Sequence, residues 1–144
     1  MIESLVLNSR TYLYSEIKDK PLSFFSLQSD FEKSTIHFCK DWLINGQAFN
    51  INTSGSTGKP KEIIITRNQM ITSAEMTAEV FNLKENDSIL VNLNTKYIAG
   101  MMMLARGLHL NLSMTINEPS SNPLQYINIK DDFYAFVPLQ MQSI

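Results

Sequence analysis

Short apolar runs alternate with longer stretches of helical periodicity from residue 61 onward, and this order restricts the fold more than any other feature. The order is a strand at 61–66, a helix at 67–82, a strand at 88–93, a helix at 99–110 and a strand at 111–116. Strands that alternate with helices pair in parallel, because each helix carries the chain back across the sheet. The first run, "KEIIIT", is too short for a helix and is predicted to be a buried strand. We therefore expect an α/β fold with a mostly parallel sheet flanked by helices.

The remaining segments extend this pattern at both ends. Residues 28–44 carry apolar side chains at helical spacing, and they precede Asn45 and Gly46, which are typical of a helix C-terminus. The alternating "QAFNIN" at 47–52 predicts a short strand, and "DFYAFV" at 132–137 predicts another.

The last segment breaks off inside an element. Pro138 suits the first turn of a helix, because an N–H at that position would be unpaired. That helix would stop at Ile144 without a capping residue. We expect the 144 residues to be the N-terminal portion of a longer protein. Its parts would be a variable helical region at 1–46 and a sheet region at 47–144.

Composition argues against several functional classes. The chain carries 12 Lys and Arg against 14 Asp and Glu, with no basic stripe, so nucleic acid is not expected as the main partner. The only cysteine, Cys39, cannot form an internal disulfide, and His37 and His109 lack acidic neighbours at ligand spacing, so no metal site is expected. Cys39 is predicted to be a core residue, and His37 to be buried or half-buried.

The longest apolar run falls short of the ~20 residues of a membrane span, and the N-terminus lacks a signal peptide, so we expect a cytoplasmic protein.

Between the strands at 47–52 and 61–66 lies the polar segment "TSGSTGKPK". It differs from the nucleotide-binding P-loop, because Gly55 and Gly58 are only three positions apart and Lys59 is followed by Pro60 instead of a hydroxyl residue. It also joins a strand to a strand, so no helix N-terminus is available to attract an anion.

The segment nevertheless offers three kinds of group that bind phosphate. Glycines allow successive backbone N–H groups to face one concavity, hydroxyls add rotatable donors, and lysines add positive charge. These residues are Gly55 and Gly58, then Ser54, Ser56 and Thr57, and finally Lys59 and Lys61. They favour a polyphosphate ligand. The alternative is a mobile linker, since Ser/Gly-rich composition is common in linkers.

The same segment resembles the signature loop of the acyl-adenylate-forming enzymes, which include acyl- and aryl-CoA synthetases, luciferases and peptide-synthetase adenylation domains. Its nine residues fill every position of that pattern, and a strand and a helix follow, as in the family. The resemblance implies that ATP is bound by Thr53, Ser54, Gly55, Ser56, Thr57, Gly58, Lys59 and Lys61. It also implies that Mg²⁺ is held by a residue outside these 144.

A second motif of the family resembles "NLNTKYIAG". The resemblance places Tyr97, where many members have histidine, and Gly100 beside the acyl substrate. Arg106 is a third candidate, since a cation could recognise a second carboxylate on the acid. The alternative for Arg106 is a structural ion pair, because a charge within an apolar helix needs a partner.

Three further segments resemble a narrower group, the o-succinylbenzoate–CoA ligases of menaquinone biosynthesis. They are "YIAGMMMLARGL", "NEPSSNPL" and "DFYAFVPLQMQSI". This resemblance implies an acid–thiol ligase in which the substrate carboxylate attacks the α-phosphorus of ATP and coenzyme A takes the acyl group. The other functional parts of such a ligase lie beyond these 144 residues, so the chain is expected to be inactive alone. The alternatives are a ligase for another aryl or acyl acid and a non-catalytic nucleotide-binding module. Apolar surface left uncovered would allow a homodimer.

Overall fold

The computed structural model describes residues 1–53, 58–59, 61–125 and 130–143. The strands are β1 (Ser4–Leu7), β2 (Arg10–Leu13), β3 (Ala48–Thr53), β4 (Lys61–Thr66), β5 (Ser88–Val91), β6 (Ser113–Ile116) and β7 (Phe133–Tyr134). The helices are α1 (Tyr14–Asp19), α2 (Asp30–Leu43), α3 (Arg67–Phe81), α4 (Ile98–His109) and α5 (Pro138–Met141), with a 3-10 turn at Leu22–Phe24.

The main sheet has five strands in the order β2-β1-β6-β5-β7. Neighbouring strands from β1 to β7 pair in parallel, and only the edge strand β2 is antiparallel. Its hairpin with β1 turns through Asn8 and Ser9, whose φ angles are 48° and 67°. Two successive positive φ angles match the twist that a two-residue hairpin needs. The predicted α/β architecture with a mostly parallel sheet is confirmed.

Strand β5 lies inside the sheet and is covered on both faces. Ile89, Leu90 and Val91 are each at most 1% exposed, which is why this strand is a continuous apolar run instead of an alternating one. The next helix along the chain, α4, contacts β5 and β6 and also packs against α2 and α3. The interior of the molecule is therefore built around β5 and α4.

Strands β3 and β4 form a separate antiparallel pair. The prediction that 61–66 is a strand is confirmed, but its predicted burial and its place in the parallel sheet are wrong. Ile63 and Ile64 are 41% and 66% exposed. The reason is that β4 pairs with β3 alone, so the described part of the chain does not cover its outer face.

Other differences lie near the two ends of the chain. The predicted helix at 28–44 is present as α2, but the first 46 residues also supply β1 and β2 to the main sheet, so this region is not only helical. The strand predicted at 132–137 is reduced to Phe133–Tyr134. Pro138 does begin α5, which is a single turn.

A lysine on α2 holds the short helix α1 in place. Lys40 Nζ donates hydrogen bonds to the carbonyl oxygens of Ile17, Lys18 and Lys20 at 3.3, 2.9 and 2.9 Å. The last carbonyls of a helix have no partner within the helix, and a cation there also suits the helix dipole. An isolated six-residue helix is unstable in water, so α1 depends on such tertiary contacts.

We expect Lys40→Met to lower the free energy of unfolding by about 1–2 kcal/mol, because it leaves those carbonyls without a donor. Urea unfolding measures the loss, and Lys84→Met, at an exposed lysine, is the control and should change stability by less than about 0.5 kcal/mol. Equal stability of the Lys40→Met and unaltered proteins would contradict this role.

Candidate functional site

The β3–β4 hairpin determines where the polar segment leaves the fold. Thr53 pairs with Lys61 in the hairpin register, so residues 54–60 connect two directly opposed strand ends. Ser54, Gly55, Ser56 and Thr57, together with the side chain of Thr53, lie outside the described residues. Their part in ATP binding stays a prediction. The structure confirms that the segment connects strand to strand.

Gly58 and Lys59 are the described residues within this connection. Gly58 has φ of +82°, a region that L-residues with side chains rarely adopt, whereas an added Cβ would meet open space. Glycine is therefore required there by the backbone conformation and not by packing. Lys59 and Lys61 are both exposed, as cations that meet a ligand need to be.

The base of the hairpin is fastened to α2. The guanidinium of Arg67, the first residue of α3 and directly after β4, stacks 4.0 Å from the ring centre of Trp42 and donates to the carbonyl oxygens of Trp42 and Gly46 at 2.9 and 3.2 Å. Phe49 on β3 stacks on the same indole, with ring centres 5.7 Å apart. Stacking and hydrogen bonds together fix the direction in which the hairpin projects.

The segment between β5 and α4 is tied to α2 by buried hydroxyls. Thr95 is fully buried, and its Oγ1 lies 2.8 Å from both Ser34 Oγ and Thr35 Oγ1. The next residue, Lys96, donates its backbone N–H to Asn94 Oδ1 at 3.0 Å. The start of α4 is therefore held by side chains that the sequence analysis did not single out.

Tyr97 and Gly100 lie in the first turn of α4 but in different surroundings. Tyr97 is the N-cap residue and is 42% exposed. Gly100 is buried, and a Cβ on it would come 2.3 Å from the carbonyl oxygen of Asn94. Its glycine is needed for this close backbone packing. A place for either residue beside an acyl group stays a prediction.

Arg106 faces α3 and lies apart from the hairpin. Its Nε donates to Thr77 Oγ1 at 3.2 Å and one terminal nitrogen approaches Met103 Sδ at 3.6 Å. Burial lowers the pKa of its guanidinium. Within the described ranges no carboxylate lies at ion-pair distance from it, so the ion-pair alternative is not found. Nine residues of helix, about 13 Å, separate Arg106 from Tyr97. The structure therefore does not bring these two candidates together.

A polar cleft of about 270 Å³ lies between α2, β3 and the start of α4; we call it the inner cleft. Asn50 and Asn52 line it from β3, Thr95 and Lys96 from the segment before α4, and His37 from α2. It adjoins the segment that follows the carboxyl end of β5, which is where ligands bind in open α/β sheets. Because Asn52 is one residue from the end of β3, the inner cleft leads toward the connection at 54–60.

A second cleft of about 530 Å³, the outer cleft, lies between α2 and the segment that precedes it. Its apolar lining is Leu22, Phe25 and Leu27, and it shares Ser34 and His37 with the inner cleft. The two clefts therefore adjoin along one face of α2.

The two predictions for α2 side chains had different outcomes. His37 is not buried: its side chain is 62% exposed and its Nε2 lies 3.3 Å from Asp41 Oδ2. The apolar stripe of α2 passes through its neighbours Ile36 and Phe38 and leaves His37 outside. The prediction for Cys39 is confirmed, since it is fully buried and burial raises the pKa of its thiol to about 12.

A buried amide pair joins α5 to the end of β5. Gln140 Nε2 donates to Asn92 O, Asn92 Oδ1 and Ser120 O at 2.8, 3.0 and 2.9 Å, and Asn92 Nδ2 donates to Glu118 O at 2.8 Å. These amide groups are satisfied by protein partners, so we assign the pair a structural role. Asn92 is a polar residue directly after an apolar strand, and this position was the sequence signal that could have predicted a buried hydrogen-bonding role for it.

The described residues contain neither a membrane-spanning helix nor a metal-binding cluster. None of their helices combines the length and apolar character needed to cross a membrane. No three His, Cys, Asp or Glu side chains among them are grouped closely enough to bind a metal ion.

Comparisons with known proteins find similarity to a solved ligase-like structure. No protein-family model and no curated protein sequence matches the chain. A solved structure does: the acyl-CoA synthetase (AMP-forming)/AMP-acid ligase II-like protein from Dyadobacter fermentans, with a TM-score of 0.77 and 41% identity over 83% of this chain and 34% of that one. The inhibitor-bound N-terminal domain of FACL13 from Mycobacterium tuberculosis is more distant, with a TM-score of 0.42 and 23% identity over 50% of this chain and 18% of that one.

The chain thus spans about a third of the length of the Dyadobacter protein. The identity and the shared fold support a relationship to the AMP-forming acyl-CoA synthetases. In architecture the chain resembles the N-terminal domain of an AMP-forming ligase.

Proposed function

We propose that the chain is the N-terminal portion of an ATP-dependent acid–thiol ligase that adenylates o-succinylbenzoate and transfers the acyl group to coenzyme A. The observation that carries this proposal is the hairpin, whose paired ends Thr53 and Lys61 bracket "TSGSTGKPK" in the sequence and whose Asn52 lines the inner cleft. The likeness to an AMP-forming ligase-like protein supports it.

In this proposal the hairpin connection binds the phosphates of ATP. Lys59 and Lys61 are exposed cations and Gly58 has the backbone freedom of a tight turn, so the described residues fit a polyphosphate. Their task is to hold the phosphates in line and to stabilise the negative charge that develops on departing pyrophosphate. The ammonium group of Lys61 is assigned the larger share, because charged donors form the stronger hydrogen bonds.

The inner cleft is proposed to receive the reacting carboxylate. It is lined by Asn50 and Asn52 of the hairpin and by Met101 of α4, and Lys96 on its wall directly precedes Tyr97 in the sequence. Coenzyme A and the Mg²⁺ ion are assigned to contacts outside this chain, which spans only a third of the ligase-like relative. The assignment to o-succinylbenzoate and menaquinone biosynthesis is supported by the resembling segments from Tyr97 onward. Fold alone does not determine the acid.

We expect the intact ligase to catalyse ATP–pyrophosphate exchange that depends on o-succinylbenzoate, and the 144-residue chain alone to show none. Adenylation requires groups that hold adenine, ribose and Mg²⁺ as well as the phosphates, and this chain supplies one part of that set. The measurement is isotope exchange between labelled pyrophosphate and ATP, with matched molar amounts of both proteins.

The outcomes of this assay separate the proposals. Exchange by the intact protein with benzoate or a fatty acid but not with o-succinylbenzoate would change the substrate and keep the chemistry. ATP binding without exchange for any acid would favour a non-catalytic nucleotide-binding module. Exchange by the 144-residue chain at the rate of the intact protein would contradict its assignment as one portion of the site.

A further inference from the structure

The outer cleft combines an apolar lining with one unpaired cation. Phe25 is buried beneath it, and Leu22 and Leu27 complete its apolar surface. Lys33 also lines it and is exposed. Over the described ranges, the Lys33 ammonium makes neither a hydrogen bond nor an ion pair. The pocket therefore suits a ligand that is apolar in its body and anionic at one end.

One carboxylate on the same side of α2 is already engaged. His37 Nε2 lies 3.3 Å from Asp41 Oδ2, and Asp41 belongs to the inner cleft and not to the outer one. Lys33 stands one helical turn before His37 on α2, about 6 Å along the axis. The lysine that lines the outer cleft is thus Lys33, and within the described ranges no carboxylate lies at ion-pair distance from its ammonium.

The position of the outer cleft links it to the proposed chemistry. It shares Ser34 and His37 with the inner cleft, which adjoins the hairpin. A ligand with one end in the inner cleft would extend along α2 and place its body on Leu22, Phe25 and Leu27. Arg106 is not available for this purpose, because it is hydrogen-bonded to Thr77 at the contact between α3 and α4.

We propose that Lys33 and the outer cleft select the acid: the preferred substrate is an aryl or acyl acid that carries a second anionic group, which Lys33 binds. This inference rests on the proposed function. It assigns specificity to a residue far in sequence from the hairpin and from the second motif. Lys33 is a specificity residue and takes no part in the transfer of the adenylyl group.

The test compares two acids that differ only in the second carboxylate. These are o-succinylbenzoate and 4-oxo-4-phenylbutanoate, and the readout is acid-dependent ATP–pyrophosphate exchange by the intact protein. We expect Lys33→Met to raise the KM for the diacid about 10- to 100-fold, because a hydrogen bond to a charged group contributes roughly 1.5–3 kcal/mol. The KM for the monoacid should stay within about twofold.

Two further variants keep the result interpretable. Ser23→Trp, at an exposed position that lines the outer cleft, should raise the KM for both acids because the indole occupies the cleft. Lys84→Met, between α3 and β5, is the charge-matched control and should change neither. An unchanged KM for the diacid in Lys33→Met, or unchanged KM values for both acids in Ser23→Trp, would overturn the inference. If exchange continued in these variants, the proposed ligase function would still be supported. Failure of exchange with every acid would instead overturn the proposed function.

Discussion

We expect Gly100→Ala to destabilise the protein by about 2 kcal/mol, although alanine is the better helix former. The methyl group would lie 2.3 Å from the carbonyl oxygen of Asn94 and 2.8 Å from the Cα of Thr95. These are backbone atoms of a segment that Thr95 fixes to α2 through two hydroxyl contacts, so they cannot move away cheaply. Overpacking of this kind costs about 1–3 kcal/mol, which outweighs the helix-propensity gain of up to ~1 kcal/mol.

The measurement is thermal or urea unfolding of the 144-residue chain. A loss of about 2 kcal/mol corresponds to a fall in Tm of about 7 °C for a protein of this size. Gly107→Ala is the matched control on the same helix. Its added Cβ would come 2.1 Å from Met114 Sδ, but a methionine side chain can change rotamer, so we expect a loss of about 1 kcal/mol. Equal stability of Gly100→Ala and the unaltered protein would show that the segment before α4 yields easily.

The second large effect is on catalysis. Under the proposed function, Lys61→Ala in the intact protein should lower the exchange rate about 10²- to 10³-fold, the loss typical when one donor to a developing anion is removed. The reason is that no neutral side chain replaces the charge that this proposal assigns to the departing pyrophosphate. Lys61→Arg should restore activity only in part, because a guanidinium differs from an ammonium in size and geometry.

Stability must be measured on the same variants. Lys61 begins β4 and pairs with Thr53, so an unfolded hairpin would also abolish exchange. A Tm within a few degrees of the unaltered protein, combined with lost exchange, supports a role in ATP binding. Lys84→Ala is the control with an exposed lysine elsewhere. Full exchange activity in Lys61→Ala would remove this residue from the site.

Local periodicity predicted most elements but not how they assemble. The helices at 67–82 and 99–110 and the strands at 88–93 and 111–116 are confirmed within two residues, because an apolar stripe, a continuous apolar run or an alternation of polar and apolar residues defines each of them. The burial of 61–66 was wrong for a different reason. An apolar run shows only that a strand forms, whereas burial depends on whether other elements cover it, as they cover β5 and not β4.

Single polar residues were the hardest to place from sequence. Arg106 was assigned a carboxylate partner, yet it contacts a hydroxyl on the neighbouring helix α3 and a thioether on its own helix. The surroundings of Lys33, Thr95 and Gln140 also depend on segments distant in sequence. The sequence pattern predicts which face of a helix is apolar. It does not predict which side chains from other elements will contact a given polar residue.

The hairpin connection is the part that sequence identified most specifically. Nine consecutive positions define a chemical environment, and the strand-to-strand geometry around them is confirmed. The identity of the acid substrate is harder to predict from the sequence, because the proposed acid site consists of two clefts formed by α2 and its neighbours. Their lining comes from four separate segments.

The most direct measurement is the affinity of the intact ligase for ATP when Lys61 and Thr57 are both alanine. Losing one charged and one neutral hydrogen bond to phosphate removes about 3 kcal/mol. The account therefore predicts a Kd about 100-fold higher by calorimetric titration, with an unchanged Tm. An unchanged Kd in that double variant would show that the residues between β3 and β4 do not bind the phosphates, and the proposed ligase function would lose its main support.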